Sequence, residues 1–185
     1  MIYSWKRIIR FGLPLLTLCV LIEIFGGSIM QGGQNILINI PIFLISIPVI
    51  NSVGGNIGSI LGARLASGLH VGIITLDFKD KKMHENLITS LLLGVITYAI
   101  LAIIIYYVAL FSGLSMGIGL IEFILILLSV GFLLICIISF TSIVTAFLSF
   151  KRGFDPDDFV APVVTTIGDT AGIILLFFII GVVLL

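Results

Sequence analysis

Apolar residues in this chain come in long blocks, with little alternation against polar ones. The stretch LITSLLLGVITYAILAIIIYYVALF, residues 87–111, carries no charge at all. About 20 apolar residues in a helix cross the hydrocarbon of a bilayer, so this stretch predicts a transmembrane helix. Four further blocks lie at about 11–31, 36–76, 116–150 and 160–185. The second and fourth are too long for one straight crossing and are expected to tilt, break or project beyond the membrane. The pattern predicts an all-α integral membrane protein of five transmembrane helices, residues 1–185 forming one membrane domain.

Composition agrees. Hydrophobic residues make up 60% of the chain and charged residues 10%, where a soluble domain carries about a quarter charged. The formal net charge is zero, so nothing draws this chain to nucleic acid, and membrane lipid is the expected surround. The few charges are unevenly placed. Lys6, Arg7 and Arg10 precede the first block, Lys79, Lys81 and Lys82 separate the second and third, and Lys151 and Arg152 separate the fourth and fifth. The loops QGGQN and SGLSMG carry no charge. The positive-inside rule then puts the N-terminus in the cytoplasm and the C-terminus outside, in a multi-pass plasma-membrane protein. Tyr106 and Tyr107 are expected near the outer interface, and Tyr3 and Trp5 near the inner one. The basic start resembles a signal peptide, but no clear cleavage site follows and Glu23 interrupts the run, so the first helix reads as uncleaved. Cys19 and Cys136 lie in apolar runs and read as small buried hydrophobes.

The second block contains PVINSVGGNIGSILGARLASG, residues 48–68. Pro48 is expected to kink or break the helix. Gly54, Gly58, Gly62 and Ala66 recur every fourth residue, and Gly55, Ser59, Ala63 and Ser67 do so one position later. Together they predict one flat face for close helix packing, with Ile57, Ile60, Leu61, Arg64 and Leu65 on the bulky side. Arg64 is expected to snorkel towards the cytoplasmic headgroups. Asn51 and Asn56 suit two roles beside a helix break: oxygen ligands for a cation, or partners for freed backbone groups.

Acidic residues sharpen the picture. Asp77, Asp80 and Glu85 accompany lysines and His84 in a loop and read as a solvated charge run. Asp155, Asp157 and Asp158 precede the fifth span, and Asp169 lies inside it. From a helix start near Asp157, Asp169 is about 18 Å along the axis, near mid-membrane. At about 100° per residue, Asp158, Pro162, Thr165 and Asp169 share one narrow arc, with Gly172 beside it. A carboxylate at such depth is a functional candidate by default. Glu23 is a second buried carboxylate, suited either to the path or to helix packing. Glu122 reads as an ordinary interfacial residue. Ser142, Thr145 and Ser149 share a face of the fourth span in its cytoplasmic half, where hydroxyls either line water or, the favoured reading, bond their own helix backbone.

The candidate ligands, Asp169, Asp158, Asn56, Thr165, Glu23 and Asn51, all offer oxygen. That set argues against zinc or copper and for Mg²⁺, Ca²⁺, Mn²⁺ or Na⁺. Mg²⁺ keeps several waters and needs only one or two carboxylates, which matches a sparse site. A two-fold dimer would bring two copies of Asp169 to its axis.

These stretches resemble the membrane domain of the MgtE family of magnesium transporters and channels. The resemblance rests on Pro48, Gly54, Gly55, Asn56 and Gly58 in the second span. It rests further on Asp155, Pro156, Pro162, Thr165, Thr166, Asp169 and Gly172 opening the fifth. It implies a homodimer with a central pore, Mg²⁺ held through its waters by Asp169, and Glu23 within the polar interior of the domain. Many bacterial members also carry a cytoplasmic domain and paired CBS domains, expected to be missing here because the first span begins so early. Eukaryotic solute-carrier relatives fuse two such units, so a half-size unit must pair with itself or with a sister chain. The segment after GGNIGS continues ILG where many relatives have a glutamine, which leaves selectivity open.

The expectation is a divalent-cation channel or transporter preferring Mg²⁺, and not an enzyme. The alternative is a proton- or sodium-coupled carrier with Asp169 as titrating relay. An intramembrane aspartyl protease would need a second nearby aspartate, and a structural partner subunit would carry no flux alone.

Overall fold

The computed structural model describes residues 5–77, 79–114 and 117–184, except for the side chains of residues 7 and 8. Tyr3 lies outside the described residues. The elements are α1 (Trp5–Gly32), α2 (Gln34–Asn39), α3 (Ile42–Val71), α4 (Lys81–Phe111), α5 (Leu120–Lys151) and α6 (Pro156–Leu184). Five of them, all but α2, are long and apolar enough to cross a membrane. In consequence the chain is a multi-pass membrane protein.

The expected break in the second span exists, but not at Pro48. It falls at Ile40 and Pro41, between the short α2 and α3, and Pro48 lies inside a continuous α3. The reason is position. Pro41 stands at the N-cap of α3 with φ −61°, where a missing N–H costs nothing. Pro48 removes one donor from a helix whose neighbours Ile47 and Ile50 are fully packed, and such packing holds an interrupted hydrogen-bond ladder together in lipid.

α5 is the buried centre, packing on α3, α4 and α6. Glycines set how closely these helices approach. A Cβ on Gly58 would fall 2.1 Å from Ile138 Cγ2 and 2.3 Å from Val164 Cγ1, and one on Gly62 would fall 2.1 Å from Val160 Cγ1. The Tyr98 ring of α4 lies across Gly131 of α5, and its hydroxyl donates to the Ile50 carbonyl of α3 at 2.7 Å. One side chain thereby joins three helices, a role the sequence reading missed. The hydroxyl of Ser142 also departs from expectation. It donates across to the Gly58 carbonyl at 2.9 Å instead of to its own helix. With Gly58 bearing no side chain, that carbonyl is open to the neighbouring helix.

The predicted single flat face of α3 is corrected. Gly54, Gly55, Gly58, Gly62 and Ala66 are buried, Ser59 is half-buried, and Ala63 and Ser67 are exposed. Ile57, Leu61 and Leu65 are buried as well, because α4, α5 and α6 surround α3 on three sides. Cys19 is buried as expected, whereas Cys136 is exposed on α5.

α1 is attached differently. Among the described residues it packs on α6 and α2 and on no other helix, leaving Leu13, Leu21 and Phe25 uncovered. Its contacts rise in step with α6: Cys19 with Pro162, Glu23 with Thr166, and Gly26 with Thr170. α1 therefore runs parallel to α6. α3 runs antiparallel to it, since Gly62 meets Val160, Gly58 meets Val164, and Gly172 meets Asn51.

Candidate functional site

The start of α6 is built by its own sequence. Asp155 Oδ1 accepts the Asp157 N–H at 3.1 Å, and Pro156 fills the first helical position, where its missing N–H is no loss. Asp157 and Asp158 occupy the first turn, favourable at the positive end of the helix dipole.

Deeper in α6, neighbouring residues face different helices. Thr165 and Gly172 face α3: a Cβ on Gly55 would lie 3.1 Å from Thr165 Cγ2, and one on Gly172 would lie 2.4 Å from Asn51 Oδ1. Thr166 and Thr170 face α1: Thr166 Oγ1 donates to Glu23 Oε1 at 3.3 Å, and Thr170 Oγ1 lies 3.1 Å from a Cβ on Gly26. At about 100° per residue Asp169 projects between these two sets. Among the described residues α1 and α3 both pack on α6 and not on each other. They leave a cleft whose floor is α6, with half-buried Asp169 on that floor and within electrostatic range of Glu23 on one wall.

The other wall supplies Asn51. Its Oδ1 is buried and without a hydrogen-bond partner, a costly condition unless something donates to it or binds it. Gly172, which it covers, is three residues beyond Asp169, about 4.5 Å along the helix. Thr165 donates its hydroxyl proton to the Ala161 and Pro162 carbonyls at 2.9 and 3.1 Å, so its oxygen keeps acceptor capacity for a ligand.

The structure thus brings Asp169, Glu23, Thr165 and Asn51 together, with Glu23 exposed on α1 and not buried as expected, because among the described residues α1 is covered only where it meets α6 and α2. It does not bring in Asp158, which is exposed at the end of α6 some 16 Å away at about 1.5 Å per residue. Nor does it bring in Asn56, which lies on the uncovered face of α3 and donates to Ser52 Oγ at 3.5 Å. Asn56 is not beside a helix break, so its expected service to freed backbone groups is corrected. Glu122, in the first turn of α5, accepts the Gly119 N–H at 3.2 Å and so helps cap that helix. Thr166 was legible only as part of the TT pair, and its bond to Glu23 could not be read from sequence.

Among the described residues no group of three or more carboxylate, histidine or cysteine side chains could hold a metal ion. One chain offers a pair of carboxylates with neutral oxygens around them. That arrangement suits the transient passage of a hydrated cation better than tight retention of a bare one.

The model of the divalent cation transporter family MgtE matches residues 47–179. The chain belongs to the MgtE family. As an MgtE member it is a divalent cation transporter and not an enzyme. The matched segment takes in Asn51, Asn56, Asp158, Thr165 and Asp169, while Glu23 on α1 lies outside it. Comparison with curated proteins and with solved structures found no significant match.

Proposed function

We propose that the cleft between α1 and α3 is one half of a path for Mg²⁺, the preferred ion, and that two copies close the path around a two-fold axis. The observation that carries this reading is the placement of Asp169 on the cleft floor, with an unpartnered Asn51 oxygen one turn away. An ionised carboxylate facing hydrocarbon would cost several kcal/mol, about 3 or more. A water-filled path removes that cost. Two-fold pairing doubles the set to two copies each of Asp169, Glu23, Thr165 and Asn51.

In this reading Asp169 attracts the ion and accepts hydrogen bonds from its retained waters. Thr165 and Asn51 accept from the same waters, and Glu23 adds negative charge without replacing any of them. Asp158 gathers cations at the mouth, and Asn56 lines the approach along α3. The basic loops lie on the cytoplasmic side, so the ion crosses a cell membrane with the N-terminus inside.

The test is Mg²⁺ entry into proteoliposomes holding the purified chain and an enclosed magnesium dye. Wild-type flux that disappears in Asp169→Ala and Asp169→Asn supports the reading. Equal flux in all three removes Asp169 from the path. Flux that needs an imposed proton or sodium gradient identifies a coupled carrier instead, and flux restored only by a sister chain identifies a heterodimer.

A further inference from the structure

On the far side of α3, a groove of about 480 Å³ opens between α3, the loop that follows it, and the start of α4. Arg64 lies nine residues from Gly55, about 180° around the helix, and so faces away from α6 and the cation cleft. Ile60 and Ala63 line the apolar side of the groove, and Arg64, Lys82 and Asn86 its polar side. The charged groups lining it are both cations.

Arg64 is seven residues before the end of α3, about 10 Å inside the helix terminus. Among the described residues the one salt bridge joins Lys82 to Glu85 at 2.7 Å, so Arg64 has no carboxylate partner. A guanidinium at headgroup depth pairs favourably with an anion, and its planar fork matches phosphate oxygens in two-pronged fashion. Lys82 approaches from the opposite wall in the first turn of α4. Asn86 gives its amide hydrogen to the Lys82 carbonyl at 2.9 Å. The start of the loop is tied back to the end of α3. The N–H groups of Ile73 and Ile74 fold back onto the Gly68 carbonyl at 2.9 and 3.0 Å, and the Gly72 turn at φ 76° permits that reversal.

We infer that this groove binds an anionic phospholipid of the leaflet that meets the 72–80 loop. Its phosphate sits between Arg64 and Lys82, and an acyl chain runs along Ile60 and Ala63. An Arg64 with no carboxylate partner and a Lys82 whose one salt bridge is to exposed Glu85, at headgroup depth above an apolar channel, complement that molecule in charge and in polarity. The inference does not depend on which ion the cleft conducts.

Native mass spectrometry of the detergent-purified full chain tests it, with phosphatidylglycerol, phosphatidylcholine or inorganic phosphate added. Phosphatidylglycerol should bind wild type in preference to phosphatidylcholine. Arg64→Gln and Lys82→Gln should each weaken it about fivefold, the worth of one cation at a lipid surface, and leave phosphatidylcholine unchanged. Glu85→Gln, on an exposed position, frees Lys82 and should strengthen phosphatidylglycerol binding, which keeps the test open should an Arg64 variant fail to fold. Equal binding of the two lipids, or no response to Arg64→Gln and Glu85→Gln, overturns the inference. So does displacement of the lipid by millimolar phosphate, or an Arg64→Gln protein that loses its dimer while keeping its lipid, since the groove would then be an ion site or a protein contact.

Discussion

α3 carries small residues on two faces, and they meet opposite fates. On one face Gly54, Gly58 and Gly62 are pressed against the side chains of α5 and α6. On the other, Ser52, Asn56, Ala63 and Ser67 stay uncovered, although a membrane gives an isolated polar residue no reason to face lipid. Both sets keep to one helix face, by steps of four on the packed side and of four and seven on the open side. The difference teaches that a small-residue stripe marks close approach only where the opposing helix offers branched side chains to fill it. Where the stripe also carries a hydroxyl and an amide, at Ser52 and Asn56, it is suited to water or to a second copy of the chain.

The largest expected effect breaks this comparison at the packed face. A Cβ on Gly58 would overlap methyls of Ile138 and Val164, and both are β-branched, with little freedom to rotate away in a helix. Gly58→Val should therefore destabilise the chain by about 3 kcal/mol. Ala63→Val on the open face should change stability by less than about 0.5 kcal/mol. Thermal midpoints in detergent check the pair, and similar losses in both would mean the open face is packed against a partner.

Asn51 sharpens the comparison by separating stability from transport. Its oxygen is buried and unpartnered, so Asn51→Leu removes a desolvation cost and should leave the thermal midpoint unchanged or raised. If that oxygen serves the ion, Mg²⁺ flux should still fall about tenfold, the worth of a single ordinary ligand interaction. A variant that loses stability and flux together would make Asn51 a packing residue only.

Glu23 comes next. Glu23→Gln keeps an oxygen to accept from Thr166 but removes the charge, so α1 should stay docked while Mg²⁺ flux falls about fivefold. That is the effect of weakening one electrostatic interaction by roughly 1 kcal/mol. The thermal midpoint distinguishes this outcome from undocking of α1. Unchanged flux would assign Glu23 to helix packing, the other role open to it.

How much of this was legible without coordinates follows from which physics is local. The five apolar spans depend on composition and came through, and Asp169 stands near the middle of the continuous α6, as rise per residue requires. Its arc with Thr165 depends on helical angle alone and also came through. Asn56 and Asn51 look alike in sequence, five residues apart, yet one is exposed and the other points its oxygen at Gly172. Only the register of α3 against α6 separates them. Pro48 misled for a related reason: the break went to Pro41, where the chain had a turn to make. Ser142 and Tyr98 bond backbone carbonyls of α3 across 84 and 48 residues, and no local pattern announces such pairs.

The smallest effect lies in the 72–80 loop, where the charge run holds a cap the sequence did not reveal. Asp80 accepts from the backbone N–H groups of Thr75, Lys82 and Met83, at 2.9, 2.7 and 3.1 Å, and from the Thr75 hydroxyl at 2.9 Å. These bonds, the Thr75 N–H foremost, hold its carboxyl down at about 2, against an ordinary value of 3.8. A depressed carboxylate contributes stability that is complete above the unfolded value and is lost as pH falls through the folded one. The loop should accordingly keep its shape down to about pH 4 and loosen between there and about pH 2. Asp80→Asn keeps one acceptor oxygen for the cap and loses the second together with the charge, so its loop should be partly loosened with a flat acid limb, and Asp80→Ala should be loose at every pH. Hydrogen exchange at residues 75–83 reads this directly. Mg²⁺ flux at neutral pH should stay unchanged in both variants, because the cap stands behind α3, away from the cleft that Asp169 floors. A flux that falls in step with loop exchange would show that the two faces of α3 move together, and would make the loop a candidate gate for the path.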